Sequence, residues 1–154
     1  MPTASDRFWA KVDRSGDCWL WTGAKTSLGY GYFWWDGKVG PAHRFSYEIN
    51  VGPIPDGLGL DHRATCPKSC VNPTHLRPTT QKQNLENQLL PRSMSGFRGV
   101  TWAAAQGKWK AQVRHHGKQI HVGYFTDVEE AARAARDKRN ELFTHNDMDR
   151  DARL

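Results

Sequence analysis

Hydrophobic and polar positions alternate most regularly between residues 108 and 115. Lys108, Lys110, Gln112 and Arg114 fall on one side of an extended chain, and Trp109, Ala111 and Val113 on the other. That period of two is the signature of a half-buried strand. Gly117-Lys118 turns the chain into a further strand, Gln119 to Phe125, and Gly96 to Trp102 reads as a strand before it. Thr126-Asp127-Val128-Glu129 has the form of a capping box and predicts a helix to about Phe143. Val128, Ala131, Ala132, Ala135 and Leu142 give that helix a narrow stripe of mostly small residues, suited to close packing on a sheet. Three antiparallel strands with one helix across one face are therefore expected. The polar run from Thr144 onward predicts a frayed tail.

The preceding half has a different rhythm. Asp6 to Val12 predicts a short helix turning Phe8 and Trp9 inward. Tyr30 to Trp35 alternates around glycines and aromatics, and Asp36-Gly37 turns it into Lys38-Val39. Ala42 to Asn50 reads as a helix with Phe45 and Ile49 on one face, stopped by Gly52-Pro53. Leu58 to Asp61 is a short strand, Leu76-Arg77-Pro78 its return, and Thr79 or Thr80 caps a helix to about Gln88. Pro, Ser and Gly without sustained periodicity then mark a linker. The expected division is a domain over 1–88, a linker over 89–95, a second domain over 96–145 and a tail over 146–154.

Charge narrows the partners. Lys plus Arg number 22 against 16 Asp plus Glu, for a net charge of +6. Such an excess attracts polyanions, nucleic acid first among them, although a protein can also be basic without such a partner. No apolar stretch approaches the roughly 20 residues that cross a bilayer, so no membrane partner is expected. Three cysteines cannot all pair within the chain, and no hydrophobic run opens it. A reducing, cytoplasmic setting is expected.

The candidate chemistry lies between the two short strands. Cys66 and Cys70 are four positions apart and His75 follows five later. This spacing suits one tetrahedral Zn²⁺ if a fourth ligand comes from elsewhere; the alternative is a pair of buried thiols. Cys18 is the remaining cysteine. His62, immediately after Asp61, is not needed by such an ion. A neutral imidazole with a pKa near ~6.5 can take a proton from water at cellular pH. A hard Mg²⁺ prefers oxygen donors such as amides and carboxylates to cysteines.

Asp61-His62, Cys66, Cys70-Val71-Asn72-Pro73-Thr74-His75-Leu76 and Gln83-Asn84 resemble the HNH and His-Cys-box homing endonucleases, the His-Me finger nucleases. Cys18-Trp19-Leu20-Trp21, Gly29-Tyr30-Gly31 and Ala42-His43-Arg44 add to the likeness, which covers most of residues 8–88. The resemblance implies a ββα finger in which His62 is the general base and Asn84 holds the catalytic Mg²⁺. It implies a structural zinc on Cys18, Cys66, Cys70 and His75. Asp61 is a second candidate Mg²⁺ ligand. His43 and Arg44 are candidates for contact with the scissile phosphate, the alternative being a helix N-terminus with a surface arginine. Many HNH enzymes carry a second metal-binding histidine on the helix where this chain has asparagine, so one Mg²⁺ with asparagine ligation is expected.

Phe97-Arg98-Gly99-Val100, Gly107-Lys108-Trp109-Lys110-Ala111-Gln112-Val113-Arg114 and Val122-Gly123-Tyr124-Phe125, with Glu129-Glu130-Ala131-Ala132, resemble the APETALA/ethylene-response-factor DNA-binding domain. That likeness implies a sheet laid in the major groove. Arg98, Trp102, Lys108, Lys110, Gln112, Arg114 and His121 are the implied contacts. Arg can read guanine and Gln adenine, while lysines hold phosphates. The sequence thus predicts an α+β protein with two parts: a zinc-braced ββα-metal nuclease finger, then a three-stranded sheet with one helix. The expected function is Mg²⁺-dependent cleavage of double-stranded DNA, by a monomer or homodimer similar to phage- or intron-encoded homing enzymes. The rival expectations are a non-catalytic DNA-binding regulator and an RNA-binding module.

Overall fold

The computed structural model describes residues 1–63, 65–87 and 93–150. The chain forms two compact units, Met1–Lys82 and Gln83–Leu154.

The first unit opens with α1 (Ala4–Trp9), shorter and earlier than the expected Asp6–Val12 helix. Thr3 starts it: its side chain accepts from the Asp6 N–H, and the Asp6 carboxylate reaches back to the Thr3 N–H. Two-residue β1 (Val12–Asp13) pairs with β2 (Leu20–Trp21). The hairpin of β3 (Tyr32–Trp35) and β4 (Lys38–Pro41) turns at Asp36-Gly37, both at positive φ. It leads into α2 (Ala42–Asn50). Phe45 is buried on α2, but Ile49 stays 43% exposed and does not share its face.

Phe8, Trp21, Phe33, Trp35 and Phe45 pack into one aromatic core with Ala42 and Val71. These large rings supply the apolar area that so short a unit needs. The Trp21 indole lies where a Cβ on Gly31 would stand 2.4 Å from its ring, so a side chain there would displace it. Val71 belongs to the cysteine loop, which ties that loop into the core.

β5 (Gly59–His62) and β6 (Leu76–Thr79) pair antiparallel with His62 opposite Leu76. Leu58, Leu60 and Leu76 rest on Tyr47 of α2 and on Ile54. α3 (Gln81–Glu86) follows β6 directly and ends short of the expected Gln88, with Asn87 in a turn and Gln88 outside the described residues. Strand, loop, strand, helix is therefore the observed order.

In the second unit β7 (Val100–Ala103), β8 (Lys108–His115) and β9 (Lys118–Phe125) form one antiparallel sheet in that order. β7 starts four residues later than the expected strand. Gly99, at φ +79°, breaks the extended run, and its carbonyl accepts from the Gln112 N–H at 2.8 Å. A Cβ on Gly99 would stand 2.4 Å from the Gln112 carbonyl oxygen. Gly99→Ala should cost about 2–3 kcal/mol, read in urea unfolding, because it adds a clash to left-handed strain.

α4 (Val128–Leu142) packs Ala131 and Ala135, both fully buried, on Val100 and Ala111. Its cap is Asp127 rather than Thr126. The Asp127 carboxylate accepts from the Glu129 and Glu130 N–H groups at 2.9 and 2.8 Å, and a carboxylate also suits the helix dipole.

The polar tail is not frayed through Arg150. Arg139, on the buried side of α4, makes a two-pronged ion pair with Asp149 of α5 (Asp147–Arg150) and donates to the Arg98 carbonyl at 2.8 Å. Asn146 is fully buried and donates to Asn140 and Asp149. The expected linker lies partly outside the described residues. Within it Ser93 and Ser95 bond to the Phe97 and Val100 carbonyls.

Candidate active site and metal centre

The cysteine loop is closed by β2. The Trp21 N–H donates to the Ser69 carbonyl at 2.9 Å and the Val71 N–H to the Trp19 carbonyl at 2.7 Å. Leu20 and Cys70 form a bridge pair between these bonds. This short ladder brings Cys18 to the loop from 48 residues upstream of Cys66. The ligand atoms of Cys18, Cys66, Cys70 and His75 all lie within 4.8 Å of one another.

The separations can be compared with a tetrahedral zinc ion. Zn–S near ~2.3 Å and Zn–N near ~2.0–2.1 Å set S···S edges of about 3.8 Å and S···N edges of about 3.5 Å. Cys18 Sγ stands 3.7 Å from Cys66 Sγ, and His75 Nδ1 is 3.7, 3.4 and 3.7 Å from the sulfurs of Cys18, Cys66 and Cys70. The donor set fits Zn²⁺. Burial, and then the neighbouring Cys18 thiol, push the Cys66 thiol up to about 12. Metal binding must therefore expel protons from this cluster.

The surroundings orient His75. Its Nε2 lies 3.3 Å from the Asp17 carboxylate, which fixes the proton there and turns the Nδ1 lone pair to the sulfurs. Asn72 orders the loop. Its amide donates to the Asp17 carbonyl at 2.8 Å and its oxygen accepts from both N–H and hydroxyl of Thr74. Asp17 carries no motif signal, and only its neighbour Cys18 hints at it.

His62 ends β5 and stands outside the four-ligand cluster. Its Nε2 lies 2.9 Å from the Cys70 carbonyl oxygen. A carbonyl only accepts, so Nε2 carries the hydrogen and Nδ1 the lone pair. Burial lowers the His62 pKa, against the opposing pull of the Cys70 carbonyl. Consecutive strand residues point to opposite faces, so Asp61 points away from His62. It meets Arg77 across the β5–β6 pair, with Oδ2 to Nη2 at 3.4 Å.

His43, in the first turn of α2, brings its ring to 5.0 Å from that of His62. Tyr30 completes the group at 5.8 Å from His43 and 6.1 Å from His62. Arg44 instead turns to Glu48, one turn on, at 3.0 Å. Burial, then the adjacent His62 and Arg44, lower the His43 pKa to about 4.

His43 also predicts a pH dependence. Between pH 6.5 and about 4 the unfolded chain protonates His43 and the folded one does not. Its share of stability is complete above pH 6.5 and is lost as pH falls through this window, by roughly 3 kcal/mol. His43→Leu should flatten that part of the urea-midpoint profile. The difference between the two proteins separates His43 from acid release of zinc.

Asn84 lies on α3, half-buried, in the sequence order the motif requires. In the second unit the register sorts the candidate contacts. Lys108, Lys110, Gln112 and Arg114 share one face of β8, and His121 is opposite Gln112 on β9. Tyr124, opposite Lys110 and 4.7 Å from the His121 ring, joins that face. Two expected members do not. Trp102 is opposite Trp109, on the helix-side face, with the rings 5.1 Å apart. Arg98 donates to the Glu86 carbonyl at 3.0 Å and lies over the Phe143 ring; burial lowers its pKa.

Together these features define an α+β protein of recognisable class. It has a His-Me-finger-like ββα order with a zinc-binding cluster of three cysteines and one histidine, then a three-stranded antiparallel sheet with one helix. Among curated proteins the chain is similar to Protein 7.7 of Escherichia phage T7, 41% identical over 73 residues, which are 47% of this chain and 55% of that protein. The chain thus spans about half the length of the curated relative it matches. No family model matches the chain, and no solved structure does. Among the described residues no helix is long and apolar enough to cross a membrane.

Proposed function

We propose that the protein is a Mg²⁺-dependent DNA endonuclease in which His62 is the general base. The observation that carries this reading is the hydrogen bond from His62 Nε2 to the Cys70 carbonyl, in a ring that the metal cluster does not use. That bond orients the imidazole and leaves Nδ1 as the proton acceptor. His62 takes a proton from water, whose oxygen attacks phosphorus. The bond to the 3′ oxygen breaks, and that oxygen takes a proton from solvent water while His62 later returns its own to solvent, giving 5′-phosphate and 3′-hydroxyl ends. Zinc on Cys18, Cys66, Cys70 and His75 stiffens the loop that supplies the Cys70 carbonyl.

Asn84 is the proposed Mg²⁺ ligand, from its position on the helix after β6. One amide oxygen, completed by phosphate oxygens and water, suits a cation that keeps much of its hydration. When bound, Mg²⁺ would neutralise charge on the departing oxygen. Asp61 would have to exchange Arg77 for the ion, so it is the lesser candidate. His43 is the proposed neighbour of the scissile phosphate; the ion pair of Arg44 with Glu48 weakens the case for Arg44.

DNA binding belongs to the same proposal. Lys108, Lys110, Gln112, Arg114 and His121 on one sheet face offer cations and amide readers to a duplex, in the manner of the APETALA-type domain. The domain division proposed is a nuclease part ending near residue 88 and a DNA-binding part from 96. The test is incubation of supercoiled and linear DNA with the purified protein and Mg²⁺. Strand breaks that EDTA abolishes are expected. Binding without breaks would favour the regulator instead.

A further inference from the structure

A groove of about 730 Å³ opens beside the histidine pair, lined by Thr26, Leu28, Tyr30, Tyr32, Val39 and His43 among others. Its wall is apolar and aromatic, with Leu28 and Val39 more than half exposed. Tyr30 is held firmly. Its carbonyl accepts from the Thr26 N–H at 2.8 Å and its N–H donates to the Thr26 hydroxyl at 3.2 Å. Over the Tyr30 ring, 5.3 Å from its centre, stands the Lys68 ammonium. Lys68 belongs to the Cys66–Cys70 turn, so the metal cluster fixes where this cation is presented.

Cation, aromatic ring and histidine pair thus follow one another. A single nucleotide has matching parts: an anionic phosphate beside a flat base and an apolar sugar. Aromatic faces accept any base by stacking, and a neighbouring lysine takes the phosphate as a point charge. The geometry points to Tyr30 and Lys68 as the seat of the nucleotide adjoining the cleaved bond, with its phosphate on Lys68 and its sugar and base along Tyr30 in the groove. This inference rests on the endonuclease reading and names two positioning residues for it.

The experiment compares the parent protein with Lys68→Gln, Tyr30→Leu and Tyr30→Phe on a duplex whose break site has been mapped. Equal zinc content verifies the fold of each variant; Lys68 is exposed, so its variant keeps the test valid if a Tyr30 variant fails. Lys68→Gln, measured for binding in a His62→Ala background, should reduce the slope of log affinity against log salt by about one. Tyr30→Leu should raise KM by about five- to tenfold with kcat little changed, and Tyr30→Phe should behave like the parent. An abasic residue next to the break should weaken the parent and leave Tyr30→Leu unaffected. A Lys68→Gln protein with the parent's salt slope, in an enzyme that cuts, overturns the seat and spares the endonuclease. A parent that binds and never cuts overturns both. A parent dimer that Val39→Glu splits gives the groove to a second copy, which also overturns the proposal.

Discussion

Cys70→Ser should unfold the first unit at room temperature. Structural zinc sites in small domains contribute on the order of 10–16 kcal/mol in isolated fingers, more than a unit of this size can spare. Cys70 is fully buried, its neighbour Val71 fills the aromatic core, and its carbonyl holds His62. Losing the metal therefore loosens core and site together. Tryptophan emission should move to the red as Trp21 and Trp35 meet water, and a chelator should produce the same shift in the parent. Zinc analysis should find about one ion per parent chain and none in the variant. A parent that holds no zinc and keeps its emission in chelator would refute the metal centre.

His62→Ala should reduce cleavage by about 10²- to 10⁴-fold, the usual worth of a positioned proton acceptor. DNA affinity should stay within about twofold, since the residue carries no net charge at neutral pH. Zinc content should not change, because none of the four ligands is touched. The cost to folding should be modest, about 1 kcal/mol, as the Cys70 carbonyl exchanges the imidazole for water. Cleavage that survives in this variant would move the base elsewhere, with His43 the nearest substitute at 5.0 Å.

The sequence announced what depends on local period and spacing. The alternation from Lys108 to His115 marked β8 to the residue, and Ala42–Asn50 was equally plain because proline and glycine bound it. The spacing of Cys66, Cys70 and His75 disclosed the metal loop, since a tetrahedral ion demands such returns of the chain. Cys18 was a different matter. The pairing of β2 with residues 69–71 and the bond of Asn72 to the Asp17 carbonyl bring it near, and both are long-range. Trp102 and Arg98 were placed among the contacts by the resemblance alone; the pairing of Trp102 with Trp109 and the bond of Arg98 to the Glu86 carbonyl, which put them elsewhere, arise from tertiary structure. The pairing of Asp149 with Arg139, and of Asn146 with Asn140 and Asp149, was invisible because polar residues in a terminal run give no sign of their partners. Tyr30 and Lys68 likewise meet only through tertiary structure.

The distance along the chain between Cys18 and His75 has a consequence for how the protein is made. These ligands are 57 residues apart, and a zinc ion held by both would close a ring of that length. Such a crosslink removes about 4 kcal/mol of unfolded-chain freedom by the loop-closure relation. During synthesis the early thiol must wait for the late imidazole to leave the ribosome. Closure of that ring by zinc thus becomes possible only once His75 has been made, late in the synthesis of the first unit.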